Sequence, residues 1–526
     1  MPALNPKSMA AAPPTPRARP KTTSTYGQIL KSSAIVGASS ALTMLVGMVR
    51  TKAMALLLGP AGFGLMGAFL AIVDLVRSVV ECGVNSSGVR QIADAVGSGD
   101  EARVARTALT VVRVMIVLGL VGAAVVVAFS RELSLITFGT DKHAVAVALL
   151  SVAVFFRLLS DAQAALIQGT RRIGDLARSN IVGAALGATA SVAIIYHTRD
   201  DGIAFSIGAA AFALALASWW YARKVRVPRL PVGFSEMRTE ARELLRLGLA
   251  FMISSLFMAG SAYAVKLMLL RQIGMEAAGL HQAAWTLGGL YVGFVLQAMS
   301  ADFYPRLVAV AGDNAQCNSL VNEQAQVSML LAGAGVMGTL ALTPIVLAVF
   351  YSAQFGAAAP VMQWICLGMT LRVVTWPMGF IIVAKNAQRI FIATELAWAV
   401  VNVGLSWICI ERFGLVGAGI GFFGSYVFHW VMIQWVVRRM SGFSWSRANR
   451  VATPLMLLAI AAVFAAMQWL PTPAAVAVGL GIAALTGLVC MARVASLLES
   501  DGRLPQVVVR AVRWLGFRPR QPHGDA

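Results

Sequence analysis

Residues 33–84 read SAIVGASSALTMLVGMVRTKAMALLLGPAGFGLMGAFLAIVDLVRSVVECGV. Two apolar runs, 33–57 and 62–84, flank the turn residues Gly59 and Pro60. A helix needs about 20 mostly apolar residues to cross a bilayer, so each run is a candidate membrane span. Five charges nevertheless sit inside this hairpin: Arg50, Lys52, Asp74, Arg77 and Glu81.

The same pattern continues to the C-terminus. About fourteen segments qualify in all. After the hairpin they lie near 106–129, 144–168, 177–197, 203–222, 247–270, 278–300, 326–350, 360–384, 390–410, 415–437, 452–470 and 474–492. The connections are short, which leaves no room for a separate soluble domain. The composition agrees, with 58% apolar and 13% charged residues and a mean hydropathy of +0.75. Soluble domains carry about 25% charged residues, so an ordinary cytosolic enzyme and a disordered chain are both excluded. The net charge of +20, in so apolar a chain, points to anionic lipid rather than nucleic acid. The cysteines (Cys82, Cys317, Cys366, Cys409, Cys490) are scattered singly, so neither a disulfide framework nor a metal site is expected.

Charge sets the orientation. With the N-terminus placed inside, the inner segments hold 31 of the 43 Lys and Arg and the outer loops hold 5, namely Arg131, Lys142, Arg199, Arg271 and Arg412. Positive residues accumulate on the cytoplasmic side, so both termini are expected there. Residues 1–30 are read as a flexible basic cytoplasmic tail rather than a signal peptide, because the following apolar run is a full span with its own charges. The basic loop 223–246 divides the first twelve spans into two six-span lobes, 31–222 and 247–438. Residues 439–493 add a helix pair, and 494–526 form a C-terminal cytoplasmic tail. The expected fold is therefore an all-α polytopic membrane protein, with two six-helix lobes and an extra pair.

Eleven ionisable residues fall within spans: Arg50, Lys52, Asp74, Arg77, Glu81, Arg113, Arg157, Asp161, Lys266, Arg372 and Glu395. A charge at a helix centre costs about 2.5–3.5 kcal/mol, so most of these must face protein or water. Glu81, Arg113, Lys266 and Glu395 lie near span ends, where snorkelling to the interface is an equal alternative. Asp74, Arg77 and Glu81 share one face of span two, and Arg157 and Asp161 are one turn apart on span four. Arg50 and Lys52 point to different sides of their helix. Pairing can neutralise part of the set, but seven cations face four anions. The excess suggests a site for an anion, and the guanidinium fork suits phosphate. Pro344 and Pro377 fall inside spans nine and ten, where a packing kink and a hinge are both open readings. There is no Walker A sequence and no GxSxG, HExxH or clustered His/Asp site, so no catalytic residue is assigned. The five histidines and the tryptophans (Trp285 among them) are read as structural or interfacial.

Three stretches suggest a family. The run from Val49 through Arg50, Lys52 and Gly59-Pro-Ala-Gly-Phe-Gly-Leu65 resembles the first hairpin of Wzx-type polysaccharide flippases. Asp302-Phe-Tyr-Pro-Arg-Leu307 looks like a stretch common in O-antigen translocases. Gly414–Phe422 (GLVGAGIGF) is similar to the GxxGAA start of their span twelve, departing from it at Gly419. The resemblance covers about residues 27–440 and lies within the multidrug/oligosaccharidyl-lipid/polysaccharide exporter superfamily. It implies two helical bundles around a cationic lumen. The implied substrate is an undecaprenyl-pyrophosphate-linked oligosaccharide, moved from the cytoplasmic to the periplasmic leaflet of a bacterial inner membrane.

The expected activity is therefore flipping by alternating access, not enzymatic catalysis. Arg50, Lys52, Arg77, Arg157, Lys266 and Arg372 are the expected ligands for the pyrophosphate or acidic sugars. Asp74, Glu81, Asp161 and Glu395 balance them, and their depth admits a second role in carrying a coupling H+ or Na+. No cofactor or metal is expected. A polysaccharide polymerase and a chain-length regulator are candidate partners, and the oligomeric state is open. Three rivals stand beside this reading. A lipid II flippase shares the span count and the cationic lumen. A cationic-drug exporter would want an acidic residue in span one, where Arg50 and Lys52 stand. A membrane glycan polymerase or ligase would need a larger outer loop than the one near 130–143.

Overall fold

A computed structural model describes residues 25–225 and 233–500. Among them the regular structure is entirely helical. In chain order the helices are α1 (Thr25–Val80), α2 (Val84–Ser98), α3 (Glu101–Ala128), α4 (Ser130–Phe138), α5 (Ala144–Gly169), α6 (Ile173–Thr198), α7 (Ile203–Ala222) and α8 (Phe234–Gln272). They continue with α9 (Met275–Ala309), α10 (Asn314–Ala341), α11 (Thr343–Phe350), α12 (Ala359–Ala384), α13 (Gln388–Phe413), α14 (Leu415–Ser441), α15 (Arg447–Trp469) and α16 (Thr472–Ser500). Ten helical stretches are long and apolar enough to cross a membrane, or eleven when the bent α10–α11 pair is taken as one span. The chain is thus a multi-pass membrane protein.

The difference from fourteen expected spans has a physical cause. One stretch runs 42 residues, Ser39–Val80, and another 50, Ile173–Ala222. At 1.5 Å per residue each is long enough to cross about twice. The first contains the Gly59 turn, where φ is 65° and ψ is −176°. Only glycine takes that conformation readily, and Pro60 then begins the next helix. The second contains the turn Arg199–Gly202, around which α6 and α7 pair antiparallel. Their close approaches, Gly183 to Leu214 and Gly187 to Ala210, are nested about that turn. The expected span 278–300 lies in α9, which is not among the ten; His281, Gln282 and Gln297 dilute its apolar run.

Several expected boundaries move. Helix α1 starts at Thr25, inside the stretch read as a tail, and α16 runs on to Ser500. The rest of both tails, 1–24 and 501–526, lies outside the described residues, as do 226–232 of the basic loop. The remainder of that loop is largely the first turns of α8, which begins at Phe234. The outer loop near 130–143 holds α4, closed by Gly139. The α10–α11 pair bends by 76° immediately before Thr343 and Pro344. Pro377 lies within an uninterrupted α12.

The three resemblance motifs prove to be packing devices. A Cβ on Gly64 would lie 2.0 Å from the Met275 carbonyl oxygen, and one on Gly279 would lie 1.8 Å from that of Pro60. Small residues therefore let α1 and α9 touch backbone to backbone. Phe303 is 1% exposed, and its ring packs 5.9 Å from both Trp376 and Phe380. At Gly419 a Cβ would meet Trp364 Cβ at 2.8 Å and the Val361 oxygen at 2.9 Å. The departure from alanine there makes room for the α12 backbone.

Candidate functional site

A cavity of about 1510 Å³ lies within the molecule, walled mainly by α1 and α5–α7 on one part and by α8, α9 and α12–α14 on the other. On α1 its lining stops at Arg50 and resumes at Gly67, short of the Gly59 turn. There Phe63 packs edge-on against Tyr351 at 5.4 Å and Phe355 at 5.8 Å. Thr137 hydrogen-bonds the cavity-lining Tyr263 at 2.6 Å, and the Arg271 guanidinium donates to the carbonyls of Leu135 and Ile136 at the end of α4. The cavity extends away from the Gly59 turn, past Arg50 to Ser39 on one arm of α1 and past Asp74 to Gly83 on the other.

Eight of the eleven charged residues line this cavity: Arg50, Asp74, Arg77, Glu81, Arg157, Lys266, Arg372 and Glu395. Asp161 stands directly behind them, its Oδ2 3.3 Å from Arg77 Nε. Arg77 Nε also lies 3.2 Å from Glu81 Oε2. Thus Asp161 pairs across to α1 rather than with Arg157 one turn away on its own helix. Lys52 and Arg113 are not on the wall. Lys52 Nζ donates to the Val349 carbonyl on α11, 2.5 Å away, and Arg113 reaches Met237 Sδ at 3.5 Å. The helix explains the difference, because residues two apart on α1 diverge by about 200°.

The cavity therefore holds five cations against four carboxylates, counting Asp161, a smaller excess than the sequence suggested. The charges are unevenly distributed. Arg77 is bracketed by Asp74, Glu81 and Asp161, so that cluster is net negative. Arg50 and Arg157 are electrostatic neighbours of like sign. Among the described residues, neither of them, nor Arg372, has a carboxylate within 4.0 Å. Lys266 is 6% exposed, and its ammonium donates to Gln282 Oε1 at 2.5 Å. Two like-charged guanidinium groups on one cavity wall repel, and an anion bound near both removes that penalty. A phosphate or pyrophosphate is the chemistry that fits.

Further groups reach the cavity that the sequence reading set aside as structural. His281, Trp285 and His429 line it, together with Trp376, Trp398 and Tyr426. Isolated aromatic residues on apolar helices carry no sequence signal that separates packing from lining. Asn402, a deep polar residue in the sequence, also lines it, with its amide 2.7 Å from Ser261 Oγ. Among the described residues no group of three or more metal-ligating side chains exists.

Comparison with known proteins agrees with this geometry. The family described as "Polysaccharide biosynthesis protein" matches residues 53–360. The lipid III flippase of Escherichia coli (strain K12) is 21% identical over 401 residues, spanning 76% of this chain and 95% of that protein. The lipid III flippase of Shigella flexneri matches to the same extent. The structure of the lipid II flippase MurJ, in an inward closed conformation, superimposes with a TM-score of 0.65 at 12% identity, covering 89% of this chain and 99% of that one. An inward-facing multidrug resistance MATE family transporter of the MOP superfamily gives 0.63 at 16% identity, covering 76% and 96%. The fold is similar to that of these two transporters, and with more than half of its length matched the chain belongs to the polysaccharide biosynthesis protein family.

Proposed function

We propose that this protein is a flippase that moves an undecaprenyl-pyrophosphate-linked oligosaccharide from the cytoplasmic to the periplasmic leaflet of a bacterial inner membrane. One observation carries the reading: Arg50 and Arg157 line the same large cavity as electrostatic neighbours, with no carboxylate within 4.0 Å of either among the described residues. The diphosphate docks between them. The glycan occupies the rest of the cavity, and the polyprenyl tail stays in lipid. On this reading the packed rings of Phe63, Tyr351 and Phe355 close the Gly59 end. Transport then requires the two parts of the wall to rock, opening that end and closing the other. The net-negative cluster around Arg77 is where a coupling H+ or Na+ would act. The names of the lipid III flippase relatives support a lipid-linked substrate.

The test is reconstitution in liposomes with labelled undecaprenyl-pyrophosphate oligosaccharide, followed by its exposure to an added glycosidase. Wild type is expected to flip, and Arg157→Ala to lose at least about tenfold in rate, the factor set by one charge-assisted hydrogen bond. A folded Arg157→Ala that flips at the wild-type rate would overturn the assignment of the phosphate site. Proton-linked ethidium export without flipping would replace the reading with a drug exporter.

A further inference from the structure

The wall built by α9 and α12–α14 differs in chemistry from the wall that carries Arg50 and Arg157, and it shows two features together. The first is a run of rings in mutual contact along the cavity. His281 stacks at 6.3 Å on Trp285, which meets Phe422 at 5.0 Å. Phe422 meets Tyr426 at 5.0 Å, and Tyr426 meets Trp398 at 5.8 Å and His429 at 5.6 Å. All six line the cavity. Trp285 is 36% exposed, so much of its surface is open.

The second feature is a set of polar atoms without partners. Glu395, Trp398, Asn402 and Ser406 recur at helical spacing on one face of α13, and all four border the cavity. Among the described residues, Trp398 Nε1, Asn402 Oδ1, Ser406 Oγ and His429 Nδ1 are buried with no hydrogen-bond partner. Asn402 is 6% exposed and Ser406 1%. The Asn402 amide already donates to Ser261, which holds its Oδ1 free to accept. Buried polar groups are ordinarily satisfied, so four orphans beside one cavity ask for a ligand that brings hydroxyls. Packing alone would be served better by leucine or phenylalanine at these positions.

Rings flanked by unpartnered donors and acceptors match one ligand class. A pyranose has an apolar C–H face that packs on an aromatic ring, and a rim of hydroxyls that both donate and accept. We infer that Trp285, Trp398, Asn402, Ser406, Tyr426 and His429 form the glycan subsite of this cavity, stacking a pyranose and bonding its hydroxyls, apart from the pyrophosphate site at Arg50 and Arg157. The inference rests on the flippase reading and gives it a direction. The lipid pyrophosphate binds the wall of α1 and α5, and its sugar reaches across to α9, α13 and α14. Arg372 and Glu395, electrostatic neighbours on this same wall, supply further hydrogen-bonding groups near the sugar. Sites built around hydroxyl bonding discriminate strongly against ligands that lack the hydroxyl, since their polar groups are then left unmet.

The experiment measures retention of two radiolabelled probes on purified full-length protein in detergent. One is undecaprenyl pyrophosphate, and the other is the same lipid bearing N-acetylglucosamine. Wild type is expected to hold the sugar-bearing probe about tenfold more tightly, the effect of roughly one hydrogen bond plus one ring contact. Trp398→Ala and Asn402→Ala should each reduce that preference towards parity while leaving the sugar-free probe unchanged. Trp398→Phe, which keeps a ring, should retain part of it. Arg157→Ala should weaken both probes alike. If Trp398→Ala does not fold, Asn402→Ala carries the test. Equal retention of the two probes by wild type, or a preference unaltered in both variants, would overturn the glycan subsite and leave the flippase reading standing. Retention of neither probe by wild type would overturn the flippase reading and this inference with it.

Discussion

Replacing Arg77 separates the two roles a buried arginine can have. Its Nε lies 3.2 Å from Glu81 and 3.3 Å from Asp161, with side-chain exposures of 28% for Arg77, 12% for Glu81 and 20% for Asp161. Removing one partner of a fully buried pair costs about 3–5 kcal/mol, because a charge is left without compensation. A solvent-exposed pair is worth about 0–1 kcal/mol. Arg77 lies between these limits and neutralises two carboxylates, so Arg77→Ala should lose about 2–3 kcal/mol. The second substitution is the informative one. Arg77→Ala/Asp161→Asn removes a carboxylate that the first change has stranded, and it should regain about 1–2 kcal/mol of the loss. Asp161→Asn alone should destabilise, because Arg77 then has one partner fewer. The assay is reversible unfolding in mixed micelles, followed by tryptophan fluorescence, for all four corners of the cycle. A double variant less stable than Arg77→Ala would refute the counter-ion role. So would a folded Arg77→Ala indistinguishable from wild type.

Three further outcomes follow from particular contacts. Gly279→Val places side-chain carbon within 2 Å of the Pro60 oxygen and should cost several kcal/mol of stability, whereas Gly47→Ala, with open space around it, should change stability by less than about 0.5 kcal/mol; melting curves of the two variants check this. Lys52→Met removes only a bond to the Val349 carbonyl away from the cavity, so flipping in liposomes should stay within about threefold of wild type, and a loss as deep as that of Arg157→Ala would return Lys52 to the substrate path. Asn322 accepts from the Ser446 amide and donates to the Ser444 carbonyl, tying α10 to the start of α15; Asn322→Leu should cost about 2–3 kcal/mol and expose residues 442–446 to limited proteolysis, and an unchanged digestion pattern would count against that tie.

The parts of the fold that the sequence discloses are those with a local cause. Apolar runs of bilayer length mark the spans, and Gly59-Pro60 marks a turn, because backbone sterics act within a few residues. The divergence of Arg50 and Lys52 is likewise a property of one helix, and the structure shows it as Arg50 on the cavity and Lys52 on Val349. What the sequence withholds depends on which helix face meets which. Asp161 has a cation one turn away on its own helix, yet its closest partner is Arg77 of α1, a choice made by packing and not by spacing. Spans one and two follow each other without a loop because the non-helical backbone is confined to Gly59, with φ at 65°, and Pro60 begins the second helix at once. Trp285 and His429 look like packing residues in any window of sequence, since the emptiness in front of them belongs to other helices.

The smaller charge excess changes the argument for an anionic substrate without removing it. If the cavity were uniformly cationic, any anion would satisfy it, and the substrate would be held as tightly at one end of its path as at the other. Instead the like-charged pair Arg50–Arg157 stands apart from a cluster in which three carboxylates share Arg77. Asp161 links the two, because it lies one turn from Arg157 while pairing with Arg77. A cation or proton that neutralised Asp161 would release Arg77 from one partner and raise the positive potential at Arg157. An anion docked at Arg157 would make Asp161 more receptive to that cation, since linkage is reciprocal. On the proposed coupling, substrate and ion would act on each other through one carboxylate, and no wider network would be required to make the two events depend on each other.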